Sequence, residues 1–128
     1  MNYYFSKVLN LNFDEAKEHV VASLKTKGFG IITEIDMRGT FKKKIDKEIR
    51  PYHILGACNP NYAFEALQKE NKIGTMLPCN VIVQELENGK VEVAAVNPVA
   101  SMTAIDNPGL LELAGQVEQM LKEVVDQL

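Results

Sequence analysis

Two β-rich runs, Cys79 to Leu86 and Val91 to Val96, stand on either side of Glu87-Asn88-Gly89-Lys90. Asn-Gly between such runs is the strongest hairpin signal a sequence carries, because a type I′ turn needs positive φ at both central residues. The chain must therefore contain an antiparallel pair of strands. The remaining elements have to be arranged around that hairpin.

Three further strands read from composition and alternation: Tyr3 to Leu9, Gly30 to Asp36, and Pro51 to Ala57, whose proline is tolerated at a first strand position. Asn12 with Glu15 three positions on is a capping-box-like helix start. Phe13, Ala16, Val20 and Leu24 then recur at helical spacing until Gly28 offers a stop, with His19 off the stripe and facing solvent. A weakly patterned helix is expected over Arg38 to Asp46, and another from Pro60-Asn61 to about Glu70. Asn71 to Gly74 reads as a turn, Asn97-Pro98 as the end of the hairpin, and 99 to 106 as a connecting loop. Asn107 caps the last helix and Pro108 fits its first position. Its apolar stripe is Leu110, Leu113, Ala114, Val117, Leu121, Val124 and Leu128, with Glu112, Gln116, Gln119, Glu123 and Asp126 opposite.

The order β-α-β-α-β-α-β-β-α predicts an α+β fold, a two-layer sandwich with helices on one face of a mostly antiparallel sheet. At 128 residues, with no repeat or linker, residues 1–128 form a single domain. The strands are apolar on both faces: Val81 and Val83 alternate with Ile82, and Val91, Val93 and Ala95 alternate with Ala94 and Val96. Helices enough for one face leave the other to be buried by symmetric self-association, so a homodimer is expected.

Charge narrows the partners. With 14 Lys plus Arg against 17 Asp plus Glu, the net charge of −3 gives no global field for nucleic acid or anionic lipid. The run Lys42-Lys43-Lys44 lacks interleaved aromatics and reads as a solvated face. No apolar run reaches the roughly 20 residues needed to cross a bilayer, and the first residues do not resemble a signal peptide. Two cysteines in a chain this size fit a reducing cytoplasm, with both thiols free.

No phosphate loop, dinucleotide fingerprint, Cys-x-x-Cys, zinc-protease or hydrolase signature is present. The unusual feature is a pair of Cys-Asn dipeptides beside prolines at strand boundaries, Cys58-Asn59-Pro60 and Pro78-Cys79-Asn80. Antiparallel neighbours would bring the two cysteines together; parallel ones would separate them. With Asn97, these residues are the candidates for a small-ligand site. Cys58, Cys79 and His53 are the candidate metal donors, zinc being the first soft metal to consider and haem ranking behind it. His53 stands roughly 16 Å from Cys58 along an extended strand, and on the opposite face by parity, so a shared metal would need a broken strand or a second subunit. Glu34 and Asp36 share one face of their strand and read first as a solvated edge. Met76, Met102, Tyr52, Tyr62 and Phe64 could line a pocket, although such residues more often fill cores.

Gly28 to Asp36, Thr40 to Lys44, Tyr52 to Pro60 with its Gly-Ala-Cys-Asn-Pro segment, Gly74 to Val81 with Leu-Pro-Cys-Asn, and Val91 to Pro98 together resemble the bacterial and archaeal "domain of unknown function 302" family. The resemblance spans almost the whole chain. It implies a small α+β domain, dimeric, and cytoplasmic in single-domain forms. It implies no reaction and no catalytic residue, and metal or haem binding would draw on Cys58, Cys79, His53, Met76 and Met102.

Three functions follow from the residues. The first is a homodimeric small-ligand-binding module with its pocket near the two Cys-Asn segments. The second is a metal- or redox-active thiol protein using Cys58 and Cys79. The third is an oligomeric interaction protein without a small-molecule site. No nucleophile–base pair can be named, so the reading leans away from an enzyme.

Overall fold

Residues alternate between buried and open along both strands of the hairpin, and this alternation organises the whole molecule around one sheet. The computed structural model describes residues 2–128. The elements are β1 (Tyr4–Leu9), α1 (Phe13–Lys25), β2 (Gly30–Asp36), α2 (Met37–Ile45), β3 (Tyr52–Cys58), α3 (Pro60–Lys69), a 3-10 turn (Ile73–Met76), β4 (Cys79–Glu85), β5 (Val91–Val96), α4 (Pro98–Met102) and α5 (Pro108–Asp126). The fold is α+β. Its five strands lie in the order β1-β5-β4-β3-β2, and every neighbouring pair is antiparallel.

Local chemistry accounts for the helix ends. Asn12 Oδ1 accepts the Glu15 N–H at 2.9 Å, and α1 stops where Gly28 turns left-handed at φ +84. The dipeptides Asn59-Pro60, Asn97-Pro98 and Asn107-Pro108 each open a helix, since proline lacks an N–H that would be orphaned there. One of these replaces an expected loop. Asn97 Oδ1 accepts from Val99 and Ala100 N–H at 3.0 and 3.3 Å, which starts the five-residue α4 at Pro98 and carries it into the segment 99 to 106 as far as Met102.

The β4–β5 hairpin forms as expected, with a different turn. Gly89 alone takes a positive φ, +81; Asn88 does not. Gly89 N–H donates to Leu86 O and Leu86 N–H to Lys90 O, so the loop holds three residues and ends on a left-handed glycine. Asn88 Oδ1 accepts the Lys90 N–H at 3.0 Å, a local bond that leaves the positive φ to glycine alone.

Two apolar clusters stand on one side of the sheet. In the larger, Ala16, Val20 and Leu24 of α1 and Val117, Leu121 and Val124 of α5 pack on Leu55, Val81, Val83, Val91 and Val93. Val125 joins the α5 stripe, while Leu128 lies beyond the helix and is partly buried. The smaller cluster joins Ala66, Ile73, Met102, Leu110, Leu113 and Ala114 beyond the sheet's end. Lys7 Nζ donates to Asp126 O at 3.1 Å and Leu128 O at 2.8 Å, satisfying carbonyls that the end of α5 leaves open. Among the described residues no helix is long and apolar enough to cross a membrane.

Gly56 of β3 sits where the chain leaves no room. A side-chain carbon there would lie 2.6 Å from Pro78 Cγ and would also strike Thr33 Oγ1. Gly56→Ala is therefore expected to lower stability by about 1–3 kcal/mol in urea denaturation, the usual cost of overpacking. Gly30→Ala, with nothing within 4 Å, should stay within about 0.5 kcal/mol of wild type. Equal midpoints for the two variants would show that Thr33 and Pro78 give way freely.

Candidate functional site

Register decides what the two Cys-Asn segments do. Strands β3 and β4 are antiparallel neighbours with Ala57 opposite Cys79, so Cys58 stands one position from the residue facing Cys79. The two cysteines are brought together. Between this seam, α3, the 3-10 turn, α4 and the first half of α5 lies an open cavity of about 320 Å³.

Its walls are almost entirely carbon. Cys58, Asn59, Pro78 and Cys79 form the side nearest the sheet, Tyr62, Ala63 and Ala66 come from α3, and Leu110, Leu113 and Ala114 come from α5. Pro98 and Met102 reach it from α4, so the helix that replaced the expected loop supplies part of the wall. At the rim stand Leu67, 44% exposed, and Ile32, 61% exposed. Ile32 is the extra residue of a β-bulge, where register shifts between Ile31 and Thr33 opposite Ala57 and Gly56. Among the described residues every buried side-chain nitrogen or oxygen has a hydrogen-bond partner, so no buried polar group is left open toward the cavity.

Of the seven predicted ligand residues, Cys58, Asn59, Pro78 and Cys79 line this cavity and Pro60, Asn80 and Asn97 do not. Asn59 begins α3 without capping it; its Nδ2 donates instead to Lys27 O at 3.2 Å and ties the α1–β2 turn to the site. Pro60 is the exposed first residue of α3. Asn80 is exposed and points to the opposite face of the sheet from Cys79. Asn97 is buried in α4's cap, with Nδ2 donating to Asn2 O. Tyr62 and Met102 line the cavity as weighed above, while Met76, Tyr52 and Phe64 do not.

His53 is not with the cysteines. It lies at the other end of β3, with Nδ1 2.8 Å from Glu34 Oε2, Nε2 3.7 Å from Asp36 Oδ1, and its ring edge-on to Phe13. Glu34 and Asp36 do share a face, and both are engaged there. Lys17 Nζ donates to Glu34 at 2.7 Å and lowers its carboxyl from the ordinary range; burial opposes this and the His53 bond adds to it. Asp36 Oδ1 accepts the Gly39 N–H and caps α2. Among the described residues no three His, Cys, Asp or Glu side chains converge in a metal-holding group.

Burial pushes the Cys79 thiol up to about 11, with the neighbouring Cys58 adding to the effect. At neutral pH Cys79 is a small apolar wall residue, not a thiolate.

A family model described as "Domain of unknown function DUF302" matches residues 5–128. Among solved structures, the chain is similar to the uncharacterized conserved protein DUF302 from Bacillus stearothermophilus. The crystal structure of that protein matches with a TM-score of 0.91 and 26% identity, over 99% of this chain and 98% of that one. No curated protein matches the chain.

The raised Cys79 value has two measurable consequences. Thiolate at pH 8 is about 100-fold scarcer than for a cysteine at its ordinary 9.0, so alkylation of Cys79 by iodoacetamide should be slower by at least that factor in the native protein than in urea. The fold favours the neutral thiol, so this stabilisation is complete below pH 9.0 and is lost as pH rises toward about 11. Cys79→Val should remove that alkaline loss relative to wild type; identical pH profiles of unfolding would contradict the assignment.

Proposed function

The chain belongs to the DUF302 family, and from that premise we propose that it is a binding module for a small, predominantly apolar molecule, held in the cavity between the β3–β4 seam, α3 and α5. One observation carries this reading: an open, carbon-lined cavity of about 320 Å³, at the lower end of the range that small-molecule sites occupy. A cavity of that kind gains free energy from an apolar occupant, because water inside it has few hydrogen-bond partners. The polar groups within reach, Asn59 and the Tyr62 hydroxyl, would orient a ligand without setting its main chemistry. Two free cysteines fit a reducing cytoplasm, and the proposal places the protein there.

The thiol reading has one point in its favour, the meeting of Cys58 and Cys79 at the same cavity wall. The raised Cys79 value weighs against it, because a metal ligand or attacking sulfur must be a thiolate.

The probe is 1-anilinonaphthalene-8-sulfonate, a fluorophore whose aromatic rings are apolar and whose one sulfonate can stay at the open mouth of the cavity. Ala63→Phe and Leu67→Trp narrow the cavity at partly open positions and should each weaken dye binding about tenfold while leaving the thermal midpoint near wild type. Ile82→Glu, on the opposite face of the sheet, should leave the titration unchanged. A titration unaffected by both cavity variants, or abolished by Ile82→Glu alone, would sink the reading.

A further inference from the structure

The sheet face turned away from α1 and α5 has its own relief. Over β4 and β5 an open trough of about 410 Å³ runs between Tyr4 on one side and Tyr52 on the other, and no helix residue lines it. Ile82 lies on its floor, and Val8 and Ile35 flank the face at 48% and 46% exposure. Across the trough runs an ordered polar row. Arg50 Nε donates to Gln84 Oε1 at 2.7 Å, and Gln84 Nε2 donates to Glu92 Oε1 at 2.7 Å. The Arg50 guanidinium also rests over the Tyr52 ring at 5.4 Å. The row is positive at the β3 side, neutral over β4 and negative at β5.

We propose that this face is a homodimer interface, on which a second copy of the chain packs sheet to sheet about a two-fold axis parallel to β4. Strand β4 is the middle of five, so an axis over it lays β3 of one copy on β5 of the other and β2 on β1. Height along the strands is unchanged by such an axis. Tyr52, Gln84 and Glu92 are directly paired across the sheet and so share one height. The axis therefore sets Arg50 with Tyr52 against Glu92 of the second copy, twice, and Gln84 against itself. Charge is matched at both ends of the row.

Shape follows the same operation. Ile54, Ile82 and Ala94 form the next paired row, so Ile82 meets its own copy on the axis while the large Ile54 faces the small Ala94. The Tyr52 ridge of each copy falls over β5, the trough floor of the other. A partner of single charge would satisfy one end of the row and oppose the other, whereas a second copy satisfies both. Aligned packing of two twisted sheets is an ordinary way to bury such faces. The interface lies on the opposite face of the sheet from the cavity and does not depend on it.

Sedimentation velocity over a concentration series is the test, with folding of each variant followed by circular dichroism. Wild type should be dimeric. Arg50→Glu alone and Glu92→Arg alone should each raise the dissociation constant about tenfold or more, since like charges then face each other. The double variant Arg50→Glu with Glu92→Arg should restore wild-type association, because the reversed row is again matched across the axis. In a Cys58→Ser background, Ile82→Cys should oxidise to a covalent dimer and Ile35→Cys, which faces Ser6 of the second copy, should not. A monomeric wild type, single reversals without effect, a double reversal as weak as the singles, or equal cross-linking at Ile82 and Ile35 would each overturn the proposal.

Discussion

Helix α5 packed on the sheet is the contact on which the other features depend. Its 19 residues span about 28 Å, whereas the seven-residue strands span about 23 Å, so the helix cannot lie on the sheet along its whole length. The half from Val117 to Val125 is pressed onto β1 and β5, while α1 covers β4 and β5 beside it, and together they form the larger core. The half from Leu110 to Ala114 overhangs. It has to find apolar partners elsewhere, and α3, α4 and the 3-10 turn supply them through Ala66, Met102 and Ile73. The cavity opens where these two packing regimes meet, which is why Ala114 and Val117 both line it.

The same helix economy leaves the other sheet face open. Helices α1 and α5 carry the apolar stripes that close one face, and α2 buries none of its residues fully. Strand alternation then puts Ile82, Ala94 and Val96 on the side that no helix of the larger core covers. Burying those side chains once more would take a second layer of structure, and the polar row from Arg50 to Glu92 restricts what that layer can be.

Elements with periodic burial or a capping residue were legible in the sequence. Asn12 with Glu15, Gly28, and Asn107-Pro108 mark helix ends that the structure keeps, because each satisfies a backbone group locally. The DUF302 resemblance, carried by the Gly-Ala-Cys-Asn-Pro and Leu-Pro-Cys-Asn segments, agrees with the family match over residues 5–128. Helix α4 was missed although Asn97-Pro98 repeats the pattern of Asn107-Pro108; only five residues follow, too few for an apolar period to show. The Ile32 bulge was illegible for a different reason, since it arises from pairing with β3 and leaves no mark in β2 itself. Of the site, the meeting of Cys58 and Cys79 was conditional on strand direction, while the contributions of α3 and α5 depend on tertiary packing alone. Asn80 and Asn97 were grouped with the cysteines by proximity to strand ends, but side-chain parity turns the first to the other face and a helix cap claims the second.

Strand β4 carries both surfaces at once. Cys79, Val81 and Val83 face the helices, and Asn80, Ile82 and Gln84 face outward, so one strand of seven residues contributes to the cavity wall and to the trough. The two surfaces are joined most tightly at Gly56, which pairs with Asn80 and over which Thr33 and Pro78 close. Pro78 belongs to the cavity wall. A larger residue at position 56 would have to push Pro78 or Thr33 aside and so strain the seam beneath the cavity. Elsewhere the pleat separates the two faces by the thickness of a single strand, with no shared side chain. The cavity wall and the trough are therefore separable by substitution along β4, and Gly56 of β3 is the position where they are not.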